Sequence, residues 1–174
     1  MLIPILETER LRLRAHRRED FAACADMWAD SIVTRFIGGK PSSAQQTWTR
    51  MSAYLGHWSL LEFGYWAIED RKTSAFVGDI GFADFHRDID RSMQGVPELG
   101  WALAAAFHSR GLATEAARAV GAWGDRHFER GRTVCMIDPN NLASLRVAEK
   151  CGFAVFKRTT FNERPTLFLE RTPN

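Results

Sequence analysis

Leu11 to Ala15 alternates leucine with arginine, the period of a half-buried strand. The period then lengthens. From Arg18 to Ala29, Phe21, Cys24, Ala25 and Trp28 fall on one helical face, and Glu19 and Asp20 favour the first turn by opposing the helix dipole. Ile37-Gly38-Gly39-Lys40-Pro41 interrupts the pattern as a loop. Ser42 or Ser43 can cap a second helix running to about Leu61, with Trp48, Met51, Leu55 and Trp58 on one stripe.

Two strands follow, near Tyr65–Glu69 and Phe76–Phe82, joined by the turn Asp70-Arg71-Lys72-Thr73. His86 to Val96 is polar and contains glycine, so it reads as a mobile loop. A fourth strand covers Glu98 to Leu103, and a third helix opens after Gly111 with Ala113, Ala116, Ala117, Val120 and Trp123 on one face. Gly121 and Gly124 each weaken that helix by roughly 1 kcal/mol, which suggests close packing. Val134–Ile137 is a fifth strand, and Asp138-Pro139-Asn140-Asn141 leads into a short helix from Leu142 to Cys151. Gly152 suits its left-handed C-cap, with apolar Phe153 after it. Two last strands flank Asn162-Glu163-Arg164-Pro165. The order predicts a mixed α/β fold with an antiparallel N-terminal half, and not a doubly wound sheet.

The chain has 174 residues, 45% hydrophobic and 25% charged, which suits one soluble domain over residues 1–174. The formal net charge of +2 is too small to argue for nucleic acid, and no basic block interleaves with aromatics. No apolar run reaches the length of a membrane span. Glu7, Glu9 and Arg10 interrupt any signal-peptide pattern. Cys24, Cys135 and Cys151 are odd in number and widely spaced, which disfavours disulfides and a metal site and fits a cytoplasmic protein with buried thiols.

His108-Ser109-Arg110-Gly111-Leu112-Ala113-Thr114 joins the fourth strand to a helix start. Free backbone N–H groups and the helix dipole converge there, so the loop can cradle an anion. Gly111 and Ala113 offer little side chain to block a phosphate. A P-loop is a poor alternative, because the Lys-Ser/Thr ending is missing.

Several segments, in order, carry a resemblance: Glu7 to Arg14, Val33 to Gly39, Gly64 to Ile68, Val77 to Gly81, Glu98 to Trp101, Arg110 to Ala116, and Asn141 to Ser144 through Glu149-Lys150-Cys151-Gly152-Phe153. The chain resembles the GNAT acetyltransferases, and within them the branch of RimJ/RimL-like ribosomal-protein N-acetyltransferases. The resemblance implies a GNAT fold: a mixed, mostly antiparallel sheet of about seven strands, splayed between the fourth and fifth, with about four helices. It implies acetyl-CoA as co-substrate, a primary amine on a peptide N-terminus or small molecule as acceptor, direct transfer in a ternary complex, and no metal. Pantetheine is expected along Leu99, Trp101, Ala102 and Leu103, and the pyrophosphate on Arg110, Gly111, Leu112, Ala113 and Thr114. His108 stands where relatives carry Gln or Arg, bringing less charge to the phosphates.

For catalysis, relatives often place a Tyr just before the Glu-Lys-x-Gly-Phe run, but here that residue is Ala148. Ser144 is the residue the RimJ/RimL-like branch implies as donor to the leaving sulfur. It also fits an ordinary first-turn position next to an Asn141 N-cap, and Asn141 reads equally as a cap or a cofactor contact. Glu98 is the leading base, directly or through water, or else a strand-edge charge; His86 and His108 rank behind it. Of the aromatics Trp28, Phe36, Trp66 and Trp101, mostly expected in the core, Phe36 is the best acceptor contact. The alternative function is a non-catalytic acyl-CoA-binding or regulatory module on the same fold. A homodimer rests only on the general prevalence of such assemblies.

Overall fold

A computed structural model of the chain describes residues 2–87, 93–129 and 131–173. The strands are β1 (Leu6–Glu7), β2 (Leu11–Arg14), β3 (Tyr65–Asp70), β4 (Phe76–Ala83), β5 (Glu98–Leu103), β6 (Thr133–Ile137), β7 (Ala154–Phe161) and β8 (Arg164–Arg171). The helices are α1 (Phe21–Ala29), α2 (Ser31–Thr34), α3 (Ala44–Leu61), α4 (Leu112–His127) and α5 (Leu142–Lys150). The eight strands form one sheet in the order β1-β2-β3-β4-β5-β6-β8-β7. Every neighbouring pair is antiparallel except β5 and β6, which run parallel. None of the described helices is long and apolar enough to cross a membrane.

The mixed, mostly antiparallel architecture is the expected one, with one strand and one helix more than expected. Both additions are short: β1 has two residues and α2 has four, too few for a hydrophobic period to show. The helix expected from Arg18 begins with a 3-10 turn over Arg18–Asp20, and α1 proper starts at Phe21. Asp20 is held there by Arg14, whose guanidinium donates to both carboxylate oxygens at 2.7 and 2.8 Å. The segment His86–Val96 lies partly outside the described residues.

The buried stripe of α3 is Thr47, Met51, Tyr54 and Trp58: Met51 and Trp58 are buried as expected, while Thr47 and Tyr54 take the places expected for Trp48 and Leu55. Trp48 is 48% exposed, packing edge-on against Phe21, and Leu55 is 40% exposed. Trp58, Trp66 and Trp123 meet at centroid distances of 4.7 to 5.6 Å and centre the main core. Gly124 lets α4 into that core, since a Cβ there would stand 2.7 Å from the Phe82 ring. Gly121 is not crowded: the nearest atom to a Cβ there is an Arg171 nitrogen at 3.9 Å.

The centre of the sheet positions the site. β5 pairs with β4 along its whole length, from Gly78↔Leu103 to Ala83↔Glu98. Its other edge pairs with β6 only at Glu98↔Val134. From Leu99 onward the two parallel strands part, leaving backbone groups of β5 free to face a ligand.

Candidate functional site

The donor side begins where β5 ends. Gly111 is the N-cap of α4 with φ of 75°, a left-handed conformation that costs glycine little. The N–H groups of Leu112, Ala113 and Thr114 begin the helix without intrahelical acceptors. Gly111, Leu112, Ala113 and Thr114 line a groove of about 780 Å³ together with Trp101, Ala102, Leu103 and His108. A ring nitrogen of His108, Nε2, lies 2.7 Å from the Leu103 carbonyl oxygen and donates to it, so the imidazole braces the loop on the end of β5. Arg110 is outside the lining; its guanidinium stands 5.4 Å over the Phe107 ring.

The N-terminal segment braces the loop from behind. Glu115 accepts from Thr8 Oγ1 at 2.6 Å, from the Arg10 N–H at 2.9 Å and from Arg10 Nε at 2.7 Å. Arg10 Nη1 also donates to the Arg110 carbonyl at 2.9 Å. Burial alone would raise the Glu115 carboxyl, but these hydrogen bonds outweigh it and hold the group below the usual glutamate range.

Three cations, Arg35, Arg146 and Lys150, line the same groove. Sequence reasoning did not single them out as groove-lining residues, although Arg146 and Lys150 are four apart on α5 and so share a face. A free strand edge, a helix N-terminus and three cations fit a thioester on a pantetheine arm ending in phosphates.

A second cavity, about 460 Å³ and a candidate for the acceptor side, lies at the β5–β6 split, lined by Glu98–Ala102 of β5 and Cys135–Ile137 of β6. Glu98 lies in it, both oxygens engaged by Arg87: Nε donates at 3.0 Å and Nη2 at 3.1 Å. Arg87 in turn stacks over Phe85 at 4.4 Å. Leu99 lines this cavity and not the donor groove. Tyr54 and Tyr65 stack in its wall at 4.2 Å. Burial is the main force pushing both phenols upward, so they remain neutral hydroxyls. Arg164 pairs with Asp138 at 3.0 Å and donates to the Arg35 carbonyl at 3.1 Å, tying β8 to the loop after α2. Gly39 makes room for that guanidinium; a Cβ there would collide with it.

The two cavities share Phe36, Ile37, Trp101, Ala102, Asn141 and Ser144. Asn141 is the N-cap of α5, and its side-chain oxygen accepts from the Ser144 N–H at 3.1 Å. The Ser144 hydroxyl has no partner among the described residues. Ala148 is fully buried in the core below. Trp66 is also core, whereas Trp28 lines the acceptor cavity. His86 stays outside both cavities, 82% exposed at its side chain. Cys135 borders the acceptor cavity, but burial pushes its thiol well up, and Cys24 is raised in the same way.

Comparison with known proteins agrees with this geometry. The Acetyltransferase (GNAT) domain family matches residues 10–154. The Bacillus subtilis protein YkkB is 31% identical over 95% of this chain and 94% of its own length. A GnaT-family acetyltransferase structure from Bordetella pertussis superposes with a TM-score of 0.86 at 32% identity, covering 97% of this chain and 99% of that one. RimL, a ribosomal L7/L12 α-N-protein acetyltransferase in complex with coenzyme A, shares the fold at a TM-score of 0.76 and 14% identity, covering 97% and 98% of the two chains. The split sheet, the glycine-capped helix and the family match together make this chain a member of the GNAT acetyltransferases.

Proposed function

We propose that this acetyltransferase moves an acetyl group from acetyl-CoA to a primary amine, either a peptide or protein N-terminal α-amine or a small-molecule amine, by direct attack in a ternary complex. One observation carries the reading: the donor groove and the acceptor cavity adjoin, sharing Trp101, Ala102, Asn141 and Ser144 in their linings. A module that only bound acyl-CoA would not need the second chamber.

Bound acetyl-CoA supplies the acetyl group as a thioester, whose thiol is a good leaving group near neutral pH. Backbone N–H groups on the free edge of β5 hydrogen-bond the developing charge on the thioester oxygen. The loop Gly111–Thr114 and the cations Arg35, Arg146 and Lys150 hold the phosphates. Ser144 donates its unpartnered hydroxyl to the departing sulfur. With Ala148 in the place of a tyrosine, no other side-chain hydroxyl on α5 lies at the junction. Thiols have a pKa near ~8.5, so one hydrogen bond is sufficient help. Glu98 accepts the amine proton through the lone pairs that Arg87 leaves free, directly or through one water.

The acceptor's own chemistry eases the base's task. An α-amine titrates near about 7.7–8.0 and a lysine amine near about 10.4, so α-amines are substantially unprotonated at neutral pH. Thiol release from acetyl-CoA across a panel of amines tests the reading. Peptide α-amines are expected to turn over faster than lysine side chains; tight CoA binding with no turnover on any amine would favour the non-catalytic module.

A further inference from the structure

Five charged side chains line the acceptor cavity: Arg50, Arg87, Glu98, Asp138 and Arg164. Four of them cancel as the ion pairs Arg87–Glu98 and Arg164–Asp138. Arg50 has no carboxylate partner among the described residues. Its one hydrogen bond is a long 3.4 Å contact to Ser42 Oγ. Its guanidinium carbon stands 3.7 Å over the Trp28 ring centroid.

Trp28 is itself fixed. Its indole Nε1 donates to Asp79 Oδ2 at 2.9 Å, and Asp79 Oδ1 is held at 2.8 Å by His16 Nε2. Asp79 is fully buried and does not line the cavity. Its oxygens are taken by His16, Trp28 and a 3.6 Å contact from Cys24. The chain Asp79–Trp28–Arg50 therefore sets the guanidinium in place without neutralising it by contact.

Two further donors look for a partner. Tyr54 and Tyr65 are 4% and 7% exposed, line the same cavity, and their hydroxyls make no hydrogen bond among the described residues. Gly100 admits the Tyr65 hydroxyl against β5; a Cβ at Gly100 would overlap it. Two nearly buried phenols without acceptors and one unpaired guanidinium share one small chamber. Neither hydroxyl oxygen is among the buried atoms without a partner, so both reach the cavity space and are placed to donate to acceptor oxygens of a bound group.

We propose that the acceptor is a small amine that also carries a carboxylate, bound by Arg50 with the hydroxyls of Tyr54 and Tyr65. This deepens the acetyltransferase reading and rests on it. The planar guanidinium matches a carboxylate through two parallel hydrogen bonds. With the two ion pairs cancelled, the chamber carries one uncompensated positive charge, that of Arg50, which a single carboxylate matches more closely than a doubly charged phosphate. Glu98 lies on β5, at the start of the free strand edge, so the amine would be directed there while the carboxylate stays at Arg50.

The test uses matched acceptors: glycine, diglycine and triglycine, each against its C-terminal amide. The di- and tripeptide pairs keep the α-amine nearly constant and change only the distal charge. At least one of these two acids is expected to show a KM ten or more times below that of its amide. In Arg50→Met that ratio should fall to within a factor of two, and Arg50→Lys should lie between. Equal KM for acid and amide in the wild type, or an unchanged ratio in Arg50→Met, would overturn the proposal while leaving acetyl transfer standing. Binding is read separately with the N-acetylated products by calorimetry in the presence of CoA. Tighter binding of acid than amide, lost in Arg50→Met, supports the site even if the chosen amines turn over poorly. Absence of any such binding difference counts against the site. Turnover of no amine at all counts against the acetyltransferase reading instead.

Discussion

The Arg10 guanidinium donates from Nε to Glu115 at 2.7 Å and from Nη1 to the Arg110 carbonyl at 2.9 Å, so one side chain joins the start of β2 to the loop that opens α4. Glu115 belongs to the first turn of that helix, where a carboxylate is also favoured by the dipole. The Thr8–Arg10 part of the N-terminal segment thus acts as the back wall of the loop that opens α4.

Glu115→Gln should therefore weaken CoA binding by about tenfold and lower stability by about 1–3 kcal/mol, the usual range for breaking charged hydrogen bonds. Titration calorimetry and denaturant unfolding measure the two effects. A fall in stability with CoA affinity intact would separate the brace from the cradle. The pH dependence has a defined sign. Because the folded Glu115 carboxyl titrates below its ordinary value, its contribution is complete above the ordinary glutamate range. It is lost as the pH falls from that range through the lower folded value. The stability gap between wild type and Glu115→Gln should close in that window.

Gly111→Val places a β-branched residue at φ of 75°, a conformation such residues rarely adopt. CoA affinity should drop at least tenfold. The loss comes from the backbone, since a Cβ at this position meets nothing nearer than an Arg10 nitrogen at 3.6 Å. Gly111→Ala should sit between the two. Unchanged affinity in Gly111→Val would remove the loop from the donor site.

The two glycines of α4 should respond oppositely. Gly124→Ala drives a methyl into the Phe82 ring and should cost about 1–3 kcal/mol. Gly121→Ala has open space and should gain up to about 1 kcal/mol from helix propensity. Thermal unfolding of the two variants distinguishes them.

His108→Ala removes the bond to the Leu103 carbonyl but none of the backbone donors of the loop. CoA affinity should fall by less than tenfold. A larger loss would mean that the imidazole itself contacts the phosphates.

Much of this was legible in the residues. The β5 segment, the break at Gly111 and the end of α5 announce themselves through local pattern. Gly152 has φ of 85°, and the Gly152 and Phe153 N–H groups close the helix on Glu149 and Ala148 as a left-handed cap requires. Elements of only about one hydrophobic period, β1 and α2, gave no signal because the period never repeats. The face of α3 shifted because Tyr54 stacks on Tyr65 of β3, a contact that no local period contains. Glu98 and Ser144 were named only through the family resemblance, and the structure places both in the lining of the 460 Å³ cavity. Arg50, Arg87 and Arg164 were not singled out, because their significance lies in partners far along the sequence, such as Arg35 and Arg164 joined across 129 residues.

Acetyl transfer is proposed at the junction of the two cavities, where Ser144 stands. Steady-state thiol release by Ser144→Ala, measured beside its CoA dissociation constant, is the decisive measurement. The expected kcat is lower by about ten- to a hundredfold, one hydrogen bond of transition-state stabilisation, with the CoA dissociation constant within a factor of two of wild type. An unchanged kcat in Ser144→Ala would contradict that placement.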